Sequence, residues 1–156
     1  MSSMYPDLTR ALDGLFDDAA DSFGMLVLSL RAENLLPVVK RLKDEFGFEL
    51  LLDVTAIDYP ERSPRFDVVW HFYSRPHNAR IRLKVRVPES APAVPTLTHL
   101  YGSARFLERE AHDMYGIEFT GNADLRPILL YEGFVGHPLR KDYAMEAEQP
   151  IVTYRQ

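Results

Sequence analysis

With 156 residues, 46% of them hydrophobic and 12% aromatic, the chain is long enough for one domain with a core and too apolar for intrinsic disorder. A formal charge of −5 counts against a nucleic-acid binder, and no run approaches the roughly 18 apolar residues of a membrane span. The absence of cysteine excludes disulfides and Cys-ligated iron–sulfur or zinc sites in these residues.

The start, MSSMYPDLTRALDGLFDDAA, lacks the basic, apolar and small-residue regions of a secretory signal, and the expectation is a cytoplasmic protein. Within it Leu8, Leu12, Leu15 and Phe16 fall at helical spacing behind Asp7, which predicts a helix over 7–20 that Gly24 breaks. MLVLSL, 25–30, has a strand's length. Leu35, Leu36, Val38, Val39, Leu42 and Phe46 then follow the 3.6 period, with Pro37 expected in the first turn and Gly47 as the stop.

Three strands are expected next, with Phe48, Leu50, Leu52 and Val54 on one face of the first. Phe66, Val68, Trp70 and Phe72 line the second, and Ile81, Leu83, Val85 and Val87 the third. Their connections are too short for crossover helices and predict an antiparallel meander, whereas the strand–helix–strand unit before it predicts a crossover. The fold expected is α+β: a four-stranded mixed sheet with helices on one side, followed by a C-terminal helix and a long extended tail. Arg80, Arg82, Lys84 and Arg86 alternate along one face of the third strand. An RNA-binding sheet is one reading, but an outer face neutralised by Glu49, Asp53 and Asp67 is favoured.

Residues 89–104, with Pro92 and Pro95 near their start and Pro88 just before them, read as a linker with one helical turn at TLTHLY. Ser103 is placed to cap a helix, ARFLEREAHDMY, that Gly116 ends. Projection of this helix puts Phe106, Leu107, Glu110, Ala111 and Met114 on one stripe, with Glu108, Arg109 and His112 on the polar side. A carboxylate within an apolar stripe needs a partner, and Arg126, Arg140 and Lys141 are the candidates for Glu110. Glu110 and His112 diverge by about 200° and do not converge on one substrate atom, which disfavours a stand-alone acid/base enzyme. No two of the five histidines have helical metal-pair spacing. From Ile117 onward no period persists, yet the segment is too rich in Ile, Leu, Phe and Tyr for disorder. Such an arm needs a surface to cover. The resulting division is an α+β domain over 1–88, a linker and charged helix over 89–116, and a docking arm over 117–156.

EREAHDMYGIEF, with Glu108, Arg109, Glu110, Asp113, Gly116, Ile117 and Phe119, resembles a signature of the C-type subunit of respiratory complex I, the NADH-quinone oxidoreductase 30 kDa subunit family. GHPLRKDY, with Gly136, Pro138, Leu139, Arg140, Lys141, Asp142 and Tyr143, resembles that family's second signature. DLRPIL, with Asp124 and Arg126, resembles the segment between them, and DVTAIDYP and VPTL also agree. Asn122-Ala123, Pro127 and Phe106 depart from the pattern, where relatives often carry His-Pro, Arg and Trp.

The resemblance implies a non-catalytic assembly subunit of the peripheral arm, on the cytoplasmic side of the membrane and associated with it only through the complex. The implied neighbour is the D-type subunit, which forms the quinone site. No cofactor or metal is implied in this chain; FMN, iron–sulfur clusters, NADH and quinone are expected in partner subunits. The equivalent subunit of a membrane-bound hydrogenase, or of a ferredoxin- or F420-dependent dehydrogenase, is the nearest alternative.

Overall fold

Alternation along the strands decides which side of the sheet is buried, and the structure follows it with one exception. The computed structural model describes residues 5–147 and 149. Residues 148 and 150–156, which the sequence reading assigns to the arm, lie outside the described residues. In chain order the elements are α1 (Tyr5–Ala11), β1 (Asp18–Ser22), β2 (Met25–Leu30), α2 (Ala32–Asp44), β3 (Leu50–Asp58), β4 (Phe66–Ser74), β5 (Ala79–Val87), β6 (Ala93–Pro95), α3 (Ala104–Tyr115) and β7 (Glu118–Thr120). The α+β class is as expected.

The main sheet runs β1-β2-β5-β4-β3, with β2 parallel to β5 and the other neighbours antiparallel. The expected meander is therefore present, and α2 carries the chain from β2 to the far edge at β3. Leu28, Leu83, Trp70 and Val54 lie in register across four strands and are all buried. They join Leu8 and Leu12 of the N-terminal segment, Leu35, Val38, Val39 and Leu42 of α2, and Ala104 and Ala111 of α3 in one apolar cluster. A buried Leu or Val side chain of this kind contributes about 1.5–3 kcal/mol of transfer free energy.

The opposite face carries the basic stripe. Arg82 Nε donates to His71 Nε2 at 2.8 Å, and His71 Nδ1 lies 3.3 Å from an Asp53 carboxylate oxygen. Burial, with the Arg82 charge beside it, pushes the His71 imidazole below its usual value. Arg86 reaches Asp67 at 4.0 Å, and Glu49 pairs with Arg75. These contacts are those of a neutralised outer face, as the sequence reading favoured.

Four expectations are corrected. The N-terminal helix stops at Ala11, and residues 18–22 instead form a fifth, edge strand. Phe23 (φ 53°) and Gly24 (φ 79°) make the tight turn into β2, and both φ values suit the hairpin twist. In β3 the register shifts between Leu51 and Asp53, so Leu51 and Val54 are buried while Leu50 and Leu52 are exposed; the bulge reverses the expected phase. Helix α2 begins at Ala32, which makes Pro37 its sixth residue and removes one internal hydrogen bond. The Pro-rich segment contributes β6, which pairs parallel with β7 and buries Val94, with Leu97 buried just beyond it.

Phe23 is fully exposed in a left-handed conformation that suits Asn better. Phe23→Asn is expected to raise unfolding free energy by about 1 kcal/mol in urea titration. A loss of stability would show that contacts of the ring, not turn geometry, hold the tip.

Candidate functional site

Helix α3 lies along the open edge of the sheet, where Ser103 Oγ donates to the Leu51 carbonyl at 3.0 Å. Ser103 therefore covers a strand edge and makes no side-chain cap, contrary to the expected role. The buried stripe of α3 is Ala104, Glu108 and Ala111 with Leu107 partly buried, while Phe106 and Glu110 are exposed. The carboxylate inside the stripe is thus Glu108 and not Glu110. The spacing 104, 107, 108, 111 is as helical as the expected one, but its centre is a charged residue, and a hydrophobicity projection turns away from it.

Glu108 is bound by neutral donors. Thr96 Oγ1 donates at 2.6 Å, the Leu97 amide at 2.7 Å and Asn122 Nδ2 at 2.9 Å. Burial pushes its carboxyl above the usual carboxylate range, and these donors act against that shift. The ion pair expected from Arg126, Arg140 or Lys141 is replaced by this cage, which ties α3 to the segments after β6 and β7.

The C-terminal end of α3 is where the arm attaches. A helix leaves its last four carbonyls without internal partners. Here the Gly116 amide serves His112 O at 2.7 Å, His137 Nδ1 lies 2.9 Å from Asp113 O, the Leu139 amide donates to Met114 O at 3.1 Å, and Arg140 Nε to Tyr115 O at 2.7 Å. Three of the four partners come from the arm. Gly116 adopts φ 73°, and a Cβ there would stand 2.5 Å from His137 Nε2 and 2.6 Å from Arg140 Nη2, so both turn and close approach require glycine. The Arg140 cation also sits where the helix dipole favours positive charge.

Asp113 and Arg109 hold the start of the arm. Asp113 Oδ2 accepts from the amides of Ile128 and Leu129 at 2.7 and 3.0 Å and, at 3.4 Å, from Leu130. Arg109 donates through Nε to Arg126 O and through Nη2 to Pro127 O, at 2.9 and 2.8 Å. Asp124 and Arg126 pair bidentately at 2.8 and 2.9 Å, which holds the Asp124 carboxyl well below its usual range.

A third anchor was missed in the sequence. Arg65, buried, grips Asp58 through Nε and Nη2 at 2.7 and 2.8 Å, and its Nη1 reaches Glu89 and Asp142 at 2.6 and 2.8 Å. The Lys141 amide donates to Asp58 Oδ2 at 2.7 Å. Lys141 thus sets register through its backbone, whereas Asp142 does so through its carboxylate. The Arg65 hydrogen bonds hold both Asp58 and Asp142 below their ordinary values. The flank of the β3–β4 turn offered the signal, since Asp58 pairs in register with Phe66, the residue after Arg65.

Beyond this seat, Phe134 packs between Tyr131 and Tyr143, and Gly136 lies under the Tyr143 ring. Pro138 is half-buried. Leu129, Tyr131, Val135, Leu139 and Met145 stay exposed, with Val135 at 75% and Leu129 at 61%. The geometry therefore orders an arm and leaves an apolar row on its outside. Among the described residues no three His, Asp or Glu side chains are arranged to hold a metal ion, and no helix is long and apolar enough to cross a membrane.

The family model of the respiratory-chain NADH dehydrogenase 30 Kd subunit matches residues 28–149. The first C-type subunit of NADH-quinone oxidoreductase from Rhizobium meliloti (strain 1021) is 46% identical over 140 residues, covering 88% of this chain and 69% of the relative. The C-type subunit from Phenylobacterium zucineum (strain HLK1) is 48% identical over 132 residues, covering 85% of this chain and 63% of the relative. The chain thus spans about two thirds of the length of these relatives. A trypsin-resistant fragment of Nqo5 has a similar structure, with TM-score 0.66 and 36% identity over 77% of this chain and 96% of the fragment. One polypeptide of an archaeal respiratory membrane complex, the membrane-bound sulfane sulfur reductase, shares the fold at TM-score 0.80 and 22% identity, covering 92% of this chain and 85% of that one.

Glu108→Ala strands the Leu97 amide and opens a cavity, and is expected to cost about 2–4 kcal/mol, whereas Glu108→Gln keeps an acceptor for that amide and stays within about 1 kcal/mol. Because the folded carboxyl is raised, its contribution to stability is complete below the unfolded value near 4.3 and declines as pH rises through the raised value. Urea titrations across pH 4–8 should therefore show the Gln variant gaining on the parent as pH rises. Equal costs for Ala and Gln would refute the hydrogen-bond cage as the reason for the residue.

Proposed function

The chain belongs to the respiratory-chain NADH dehydrogenase 30 Kd subunit family, and from that premise we propose that it is a structural subunit of the peripheral arm of an NADH-quinone oxidoreductase. In this reading it supports electron transfer from NADH to quinone without performing it. FMN, the iron–sulfur clusters, NADH and quinone are bound by other subunits. Its place is at the cytoplasmic face of the membrane, against the D-type subunit that forms the quinone site.

The observation that carries this reading is the exposed apolar row Leu129, Tyr131, Val135 and Leu139 on an arm whose backbone is fixed from the inside. An ordered segment that keeps such side chains in water is destabilising alone and suited to docking. Because its backbone is already bonded, association loses less conformational entropy than the ordering of a free tail would. Two charged residues of the second signature, Arg140 and Asp142, are engaged by the chain itself as anchors, which leaves the exposed apolar side chains, with Lys141 beside them, for the outward contact. The carboxylates near the helix serve the same end. Glu108 is enclosed by neutral donors and Asp113 by backbone amides, an arrangement that favours holding position over exchanging protons.

Leu129→Asp with Val135→Asp is the direct test. The doubly substituted chain should fold with near-parental thermal stability, yet disappear from the high-mass band that the parent occupies on a native gel of the membrane fraction. Retention of the variant in an active quinone-reducing complex would overturn the docking role of the row.

A further inference from the structure

A cleft of about 410 Å³ lies on the other side of α3, between its first two turns and the loop after β7. Arg105, Phe106, Arg109 and His99 line it, and its carboxylate is Asp124. Asp124 is already neutralised by both nitrogens of the Arg126 fork. Arg109 spends Nε and Nη2 on two carbonyl oxygens, and the nearby Asp124, whose oxygens the Arg126 fork holds, acts on it through its field without an ion pair. Arg105 is exposed and has no carboxylate partner among the described residues. Phe106 stands at the rim, 61% exposed. Beneath the cleft, Glu108 binds Asn122 and Thr96, so the floor is braced. The cleft is also continuous with the arm, because the carbonyls Arg109 holds belong to Arg126 and Pro127, just before exposed Leu129.

We propose that this cleft receives a segment of a neighbouring subunit that carries a carboxylate next to an apolar side chain, the carboxylate meeting Arg105 and Arg109 and the apolar group packing on Phe106. The inference rests on the subunit role proposed above and specifies a second contact for it. Charge complementarity selects the occupant. Two guanidiniums that make no ion pair among the described residues, on a fixed floor, suit a planar carboxylate, and an aromatic rim within one helical turn suits an adjoining apolar group. A nucleic-acid strand is disfavoured, since the chain as a whole carries −5 and the cleft offers one aromatic face and few cations.

The test uses the assembled complex isolated from membranes, with Phe106→p-benzoylphenylalanine as a photo-crosslinking probe and mass spectrometry of the joined peptides. The expected product is one crosslink to a segment of another subunit that contains Asp or Glu within two or three residues of the attachment point. In the same background Arg105→Glu should lower crosslink yield roughly tenfold, the effect of placing like charges together. Arg105→Lys should retain most of it. A complex that assembles but gives no crosslink, or one to lipid, nucleic acid, a second copy or a segment without carboxylates, overturns this proposal and leaves the subunit role standing. Failure of the parental chain to co-purify with any complex instead overturns the subunit role and, with it, the inference.

Discussion

The C-terminal end of α3 presents carbonyls that must find donors, and most of the functional architecture follows from where those donors come from. In an ordinary helix the residues immediately following supply them, or water does. Here Gly116 turns the chain away after serving one carbonyl, and His137, Leu139 and Arg140 return from more than twenty residues later to serve the other three. The helix and the arm therefore complete each other. Asp113, itself within the last turn, extends the exchange by accepting backbone amides from the start of the arm.

Around this junction the charges divide by task. Arg65 gathers Asp58, Glu89 and Asp142, so the sheet, the loop after β5 and the arm share one guanidinium. Its cluster is largely buried at Asp58 and open at the other two carboxylates, a gradient that places the specific pairing inside and the solvated charge outside. A buried pair of this kind is costly to break and fixes register more surely than it adds stability. The polar outer sheet face, with His71 between Arg82 and Asp53, is balanced separately.

Much of this was legible in the sequence where a period or a turn residue carried it. The meander, the crossover and the stop at Gly116 follow from alternation, loop length and the αL preference of glycine. The two signature segments singled out the residues that meet at the junction. Other features were hidden for physical reasons. A single bulge at Leu52 reversed the phase of β3, and the polar edge strand at 18–22 buries too little to show a pattern. Glu108 escaped because hydrophobic projection assigns a carboxylate to solvent, whereas its cage is assembled from Thr96, Leu97 and Asn122, which only the tertiary fold brings together. The sequence offered Arg126, Arg140 and Lys141 to Glu110; in the fold Arg140 serves the Tyr115 carbonyl, Asp142 serves Arg65 and Arg126 serves Asp124, while Leu129, Val135 and Leu139 remain exposed.

The central claim is that the arm is fixed on its own chain before any partner arrives. Amide hydrogen exchange on the isolated chain at neutral pH reads this residue by residue. The amides of Ile128, Leu129, Leu139 and Lys141, each bonded to α3 or Asp58, should exchange at least about tenfold more slowly than in an unstructured peptide. Exchange of all four at unstructured rates, with the β4 and β5 amides still protected, would contradict the account.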